Sequence, residues 1–279
     1  MNDLFTTQEG NYIKPTPPLR GATLTEENYM KKKAPKGVIL YLGKSKIDGK
    51  EVVAILTFES GNKKTGNMTQ VWFIRTDVDP VTAEKEGYDE SVCGDCIHRG
   101  HKGKKKKRSC YVNLGQAPLQ VYKSYKKGLY PVFDPTIHGE LLRWRKTRFG
   151  AYGDPACVPF ECLEPIAKLS MSTTGYTHQV EHKNFDPRIA TLCMVSADSP
   201  KQAKKYHDKG YRTFRVAVPN DNLYPNEIPC AFESGGVQCI DCGLCDTAGS
   251  GAPSIVVTIH GTGAKKFKTA SLIPTLQVA

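Results

Sequence analysis

Cysteine is the residue of this chain whose spacing most plainly suits chemistry. Cys93, Cys96 and Cys110 read C-x2-C-x13-C, with His98 and His101 inside the loop and Tyr111 directly after it. Two cysteines separated by two residues can turn both sulfurs toward one centre. Three thiolates leave one coordination position. Either His98 or His101 fills it, which gives a closed zinc site, or it stays open for substrate, as on a three-cysteine iron–sulfur cluster. A second group, Cys230, Cys239, Cys242 and Cys245, reads C-x8-C-x2-C-x2-C. Four thiolates with no spare position suit a structural metal, either zinc or an auxiliary iron–sulfur cluster. Cys157, Cys162 and Cys193 stand among apolar neighbours and are expected in the core.

A basic run, Lys104, Lys105, Lys106, Lys107 and Arg108, sits inside the first cysteine loop. Like charges in series repel, so the run is either a solvated loop tip or a grip on phosphate. The formal net charge of +11 also favours an anionic partner, nucleic acid or nucleotide. The segment Gly61–Gly66 has the glycines of a phosphate loop, but Asn67 and Met68 stand where Lys and Ser or Thr are required. No hydrolase elbow, zincin helix or dinucleotide glycine fingerprint is present. His178, His260 and Asp154 are candidates for polar work at a site mouth, with His178 and Asp154 as the candidate catalytic pair.

These residues need elements to position them. The chain reads as an N-terminal arm over 1–36, a β-hairpin over 37–69 around Asp48-Gly49, a β/α domain over 70–268 and a tail over 269–279. Strands are expected at about 70–75, 148–153, 169–178, 190–197, 211–218 and 254–261. Helices are expected over 116–128, 137–146, 157–169 and 199–210, the last with Ser199 as N-cap and Pro200 at its first position. Strands spaced by helical segments argue for parallel β/α units, here a partial barrel of about six parallel strands with an N-terminal hairpin extension. In such folds chemistry collects after the carboxyl ends of the strands. The first cysteine group, Gly153-Asp154, His178, Asp198 and His260 all fall there.

No window approaches the ~18 apolar residues of a membrane span, and the first residues have no apolar signal core. Ten cysteines without an export signal imply a reducing compartment, the cytoplasm, where thiolates bind metal rather than pair.

A cysteine group after the first strand with an aromatic after its last member, followed by a Gly-Asp turn after the second strand, resembles the radical-SAM pattern over residues 70–262. The blocks CYVNLGQAPL, GAYGDP, TGYTHQ and GLC resemble an uncharacterised bacteriophage-encoded family, for which the compartment would be the host cytoplasm. The usual radical-SAM spacing is C-x3-C-x2-C, and this chain departs from it. The resemblance implies Cys93, Cys96 and Cys110 as cluster ligands. It also implies S-adenosylmethionine as cofactor, with Gly153 and Asp154 beside its amino acid moiety.

Overall fold

The computed structural model describes residues 34–100, 108–219, 221–246, 251–260 and 264–271. Most of the N-terminal arm, His101, Lys104–Lys107 and the tail beyond 271 lie outside the described residues. The strands are β1 (Gly37–Lys44), β2 (Glu51–Thr57), β3 (Thr69–Arg75), β4 (Lys146–Tyr152), β5 (Ser172–Thr177), β6 (Met194–Ala197), β7 (Thr213–Ala217), β8 (Glu227–Pro229) and β9 (Ser254–Thr258). They form one sheet in the order β1-β2-β3-β4-β5-β6-β7-β9-β8.

β1 and β2 pair antiparallel around Asp48-Gly49, where Gly49 takes the positive φ of 75° that the turn requires. β2 pairs antiparallel with β3, and every pairing from β3 onward is parallel. The α/β class read from the sequence therefore holds. The sheet is open, with β1 and β8 as its edges. The two N-terminal strands are part of that sheet, because β3 serves both as their third antiparallel strand and as the first parallel one. A seventh parallel strand, β8, is three residues long and enters beyond β9. Three residues carry no readable period, which is why the sequence hid it.

The helices before β7 are α1 (Pro80–Glu86), α2 (Glu90–Cys93), α3 (Ala117–Lys126), α4 (Pro135–His138), α5 (Glu164–Leu169) and α6 (Pro200–His207). They are followed by α7 (Ala231–Gly235), α8 (Cys239–Cys242) and α9 (Ala264–Ser271). Ser199 caps α6 by accepting from Gln202 N, as its position predicts. The helix expected over 137–146 is replaced by α4 and a 3-10 turn at Gly139–Leu141, since Lys146 already belongs to β4. The stretch 157–169 is likewise two 3-10 turns before α5, because Pro159 and Pro165 supply no amide donor for a continuous helix. Ile55, Leu56, Phe73, Ile74, Phe149 and Ile166 are fully buried and form the main core with Cys157 and Cys193. Cys162 is buried too.

One charged group is sealed into this sheet. Arg215 on β7 is fully buried and forks onto Glu227 of β8, Nε to Oε1 at 2.9 Å and Nη2 to Oε2 at 2.8 Å. Its Nη1 donates to Asp221 at 2.6 Å. The pair fastens the short strand β8 to the sheet across β9. Replacing Glu227 with Ala leaves a buried guanidinium without its main partner and should cost about 3–5 kcal/mol in denaturant unfolding. The matched Arg215→Met/Glu227→Leu double variant should recover most of that loss.

Candidate functional site

The parallel register lines up alternate residues of neighbouring strands on one face. Arg148 of β4 stands beside Thr174 of β5, Ser196 of β6 beside Phe214 of β7, and Phe214 beside Ile255 of β9. Those side chains wall a cavity of about 370 Å³, within the range of small-molecule sites. Cys93, Cys96, Cys110, Gly153, Asp154, His178, Asp198 and His260 all line it, and so do Cys230, Cys239, Cys242 and Cys245. The sequence separately assigns the first set of eight to strand ends, and the fold gathers them.

The two cysteine groups are anchored differently. The first follows the carboxyl end of β3 through α1 and α2. Its loop closes where Ser109 N and Cys110 N both donate to the His98 carbonyl, at 3.0 and 2.9 Å. Burial pushes the Cys93 thiol well up, and the nearby Asp89, Cys96 and Cys110 push it further. Burial raises Cys110 as well. In the second group Cys230 follows the carboxyl end of β8, while Cys239, Cys242 and Cys245 lie on a segment anchored at the amino ends of other strands. Asp246 bonds Lys146 at the start of β4 (2.9 Å) and Ser172 at the start of β5 (2.8 Å). Arg212, just before β7, donates to the carbonyls of Leu244 and Asp246. The Gly61–Gly66 loop takes part here, since the carbonyls of Lys64 and Thr65 accept from Cys239 N and Ile240 N.

Asp154 is a hub at the carboxyl end. Its Oδ1 accepts from Ala156 N (3.0 Å) and Thr177 Oγ1 (2.8 Å), and its Oδ2 from His178 N (2.7 Å) and Gln179 Nε2 (3.5 Å). Burial raises its pKa, and those hydrogen bonds oppose the rise. Gln179 in turn donates to the Cys93 carbonyl at 3.0 Å and accepts from Asp95 N at 3.2 Å. Two glycines make this packing possible. A Cβ at Gly94 would stand 2.1 Å from Gln179 Oε1, and one at Gly153 would stand 2.7 Å from Phe73 Cβ.

His178 and Asp198 follow directly on β5 and β6. His178 Nε2 lies 3.4 Å from Asp198 Oδ1, and His98 Nε2 lies 3.2 Å from the same oxygen. Burial alone would lower His178, but Cys96 and Asp198 beside it hold it well above its ordinary value. Burial would raise Asp198, yet the two imidazoles hold it far below the usual carboxylate range. His98 Nδ1 faces Ser109 Oγ at 3.1 Å, so both ring nitrogens have neighbours outside the cysteine group. Among the described residues, His98, His178 and Asp198 are the three ligand groups within 4.8 Å of one another. No three thiols gather as closely, whereas sulfurs about 2.3 Å from one tetrahedral ion stand roughly 3.8 Å apart.

Arg148 is a candidate site residue that the sequence did not reveal. It is buried in the cavity wall and donates through Nη2 to Tyr111 Oη at 2.9 Å. Among the described residues no carboxylate pairs with it, and its Nε has no partner. His98 Nε2, Arg148 Nε, Tyr152 Oη, Thr174 Oγ1, His178 Nε2 and Asp198 Oδ1 are the buried side-chain polar atoms without a hydrogen-bond partner among the described residues, and all six residues line this cavity. Three of the atoms face one another in the His98–Asp198 and His178–Asp198 ion pairs. Buried polar atoms are rarely left unpaired, so their concentration marks a place built for a polar occupant. Arg108 is turned inward, with Nη2 on the Val112 carbonyl at 2.5 Å. The described helices contain none long and apolar enough to cross a membrane. Comparison with family models, curated proteins and solved structures gives no match to this chain.

The hub makes a direct prediction. Asp154→Asn keeps the volume but replaces an acceptor oxygen with a donor facing two N–H groups. It should lower stability by about 1.5–3 kcal/mol in denaturant unfolding, the range for hydrogen bonds to a charged group. An unchanged midpoint would show that the carboxylate does not hold the rim.

Proposed function

We propose that this chain is a radical-SAM-like iron–sulfur enzyme acting on a nucleotide or a nucleic-acid-linked substrate. The observation that carries the reading is the single cavity: both cysteine groups line it, together with the polar atoms that lack a hydrogen-bond partner and the buried cation Arg148. Cys93, Cys96 and Cys110 are the cluster ligands in this reading. His98 faces Asp198 and Ser109, which disfavours it as the fourth ligand of the first cysteine group, while His101 lies outside the described residues. If held by Cys93, Cys96 and Cys110, an iron–sulfur cluster would supply an electron to S-adenosylmethionine.

The protein's own groups do the rest. Gly153 lets the turn after β4 pack against β3, and Asp154 acts through the groups that it orients. Both border the cavity where the resemblance expects the amino acid moiety of the cofactor. Arg148 keeps its charge at any working pH and offers it to a phosphate or carboxylate. The parallel strands from β3 onward serve as the partial barrel of this reading. Cys230, Cys239, Cys242 and Cys245 hold a second metal centre beneath it.

A second reading, a zinc-stabilised basic protein that binds nucleic acid without catalysis, is favoured by the anchoring of segment 239–246 at the strand starts. Metal analysis separates the two. Protein purified without oxygen should be brown and carry iron and sulfide, and Cys93→Ser should lose the iron of the first group while keeping the fold. Colourless wild-type protein carrying zinc alone would overturn the enzyme reading.

The basic loop has its own test. Changing Lys104–Lys107 to Gln should weaken nucleic-acid binding and flatten its salt dependence, since counterion release scales with phosphate contacts. Stability should shift by no more than about 0.5 kcal/mol. An unchanged affinity and salt slope would make the run a solvated tip.

A further inference from the structure

Three elements bring one buried ligand atom each to a common point. His98 arrives from the first cysteine loop, His178 from the end of β5 and Asp198 from the end of β6. Their Nε2, Nε2 and Oδ1 atoms are buried and have no hydrogen-bond partner. A simple ion pair would satisfy itself through a directed N–H···O bond. Here the nitrogens approach Asp198 Oδ1 to 3.2 and 3.4 Å without that alignment. Ligands about 2.0–2.1 Å from one tetrahedral ion stand about 3.3–3.4 Å apart, so these separations suit donors that share an ion between them.

The outer contacts fit the same role. His98 is fixed by Ser109 Oγ on Nδ1 and by stacking on Phe267, with ring centroids 5.2 Å apart. His178 is held through its backbone N by Asp154, and Asp198 through its backbone N by Gln202 Oε1 at 2.7 Å. Of these contacts, the one from Ser109 engages the second ring nitrogen of His98, as is characteristic of a ligating histidine.

We propose that His98, His178 and Asp198, which line the cavity, form a binding site for a single divalent transition-metal ion, with a ligand set distinct from the thiolate groups. Cys96 nonetheless stands beside His178. Two imidazoles and one carboxylate suit Zn²⁺ or Fe²⁺. Three protein ligands leave room for water or a substrate oxygen, which such an ion polarises. The inference stands whether or not the cysteines carry a cluster, and it adds a centre that the iron–sulfur reading does not require.

Cobalt titration of the full chain, stripped of metal and kept reduced, tests it. Co²⁺ bound by thiolates shows intense sulfur-to-metal charge transfer, and Co²⁺ bound by nitrogen and oxygen does not. Asp198→Asn and His178→Gln should each bind one equivalent less than wild type with charge transfer unchanged. Equal stoichiometry in these variants would overturn the proposal, as would a loss matched by lost charge transfer. If both variants show an altered far-UV spectrum, Ser109→Ala decides. It removes only an outer contact and should weaken binding of that equivalent about 10–100-fold. Unchanged affinity in that variant would overturn the site. Failure of the cluster reading registers separately, in the iron and sulfide content of protein purified without oxygen.

Discussion

The upper rim of the cavity hangs on one buried carboxylate. Asp154 receives donors from its own turn and from the three residues 177–179, and Gln179 passes the connection on to the backbone of Cys93 and Asp95. Its own N donates to the Val92 carbonyl at 2.6 Å, so it also holds the end of α2 directly. Two strand ends, of β4 and β5, and helix α2 are thereby tied together by a group that could not be buried alone without large cost. The orientation of His178 and the course of the first cysteine loop both follow from that tie.

Below the rim, the register of the parallel strands does the positioning. β4, β5, β7 and β9 contribute alternate residues to the cavity, and the hydrogen-bonded ladder sets their heights against one another. Tyr176 and Phe214 meet at ring centroids 3.9 Å apart and make an apolar floor, into which Tyr176 Oη brings a contact with Cys245 Sγ at 3.5 Å. The wall is thus largely hydrophobic with a few fixed polar atoms. Such a wall binds through shape and orients through those few atoms.

Much of this was legible where chemistry sits next to punctuation. His178, Asp198 and Gly153-Asp154 each follow a strand at its end, so a correct strand reading also predicts a shared face. The cysteine spacings were readable for the same local reason. Arg148 was not, because β4 is buried on both faces and its pattern does not say which side holds a cavity. The partners of His98 were also hidden. Its neighbours in sequence suggest a thiolate site, whereas its neighbours in space include His178, Asp198 and Phe267, which come from 80 to 169 positions away, beyond the reach of any local pattern.

The order of the sheet's last three strands sets a timetable. β9 lies between β7 and β8, although it follows both in the chain. During synthesis β8 therefore has no ladder to join until residues near 258 have emerged. Cys230, whose N donates to the Val256 carbonyl at 2.8 Å, waits with it. The four-thiolate group is consequently among the last features a nascent chain can complete, and until then its thiols stay open to whatever delivers metal or oxidises sulfur.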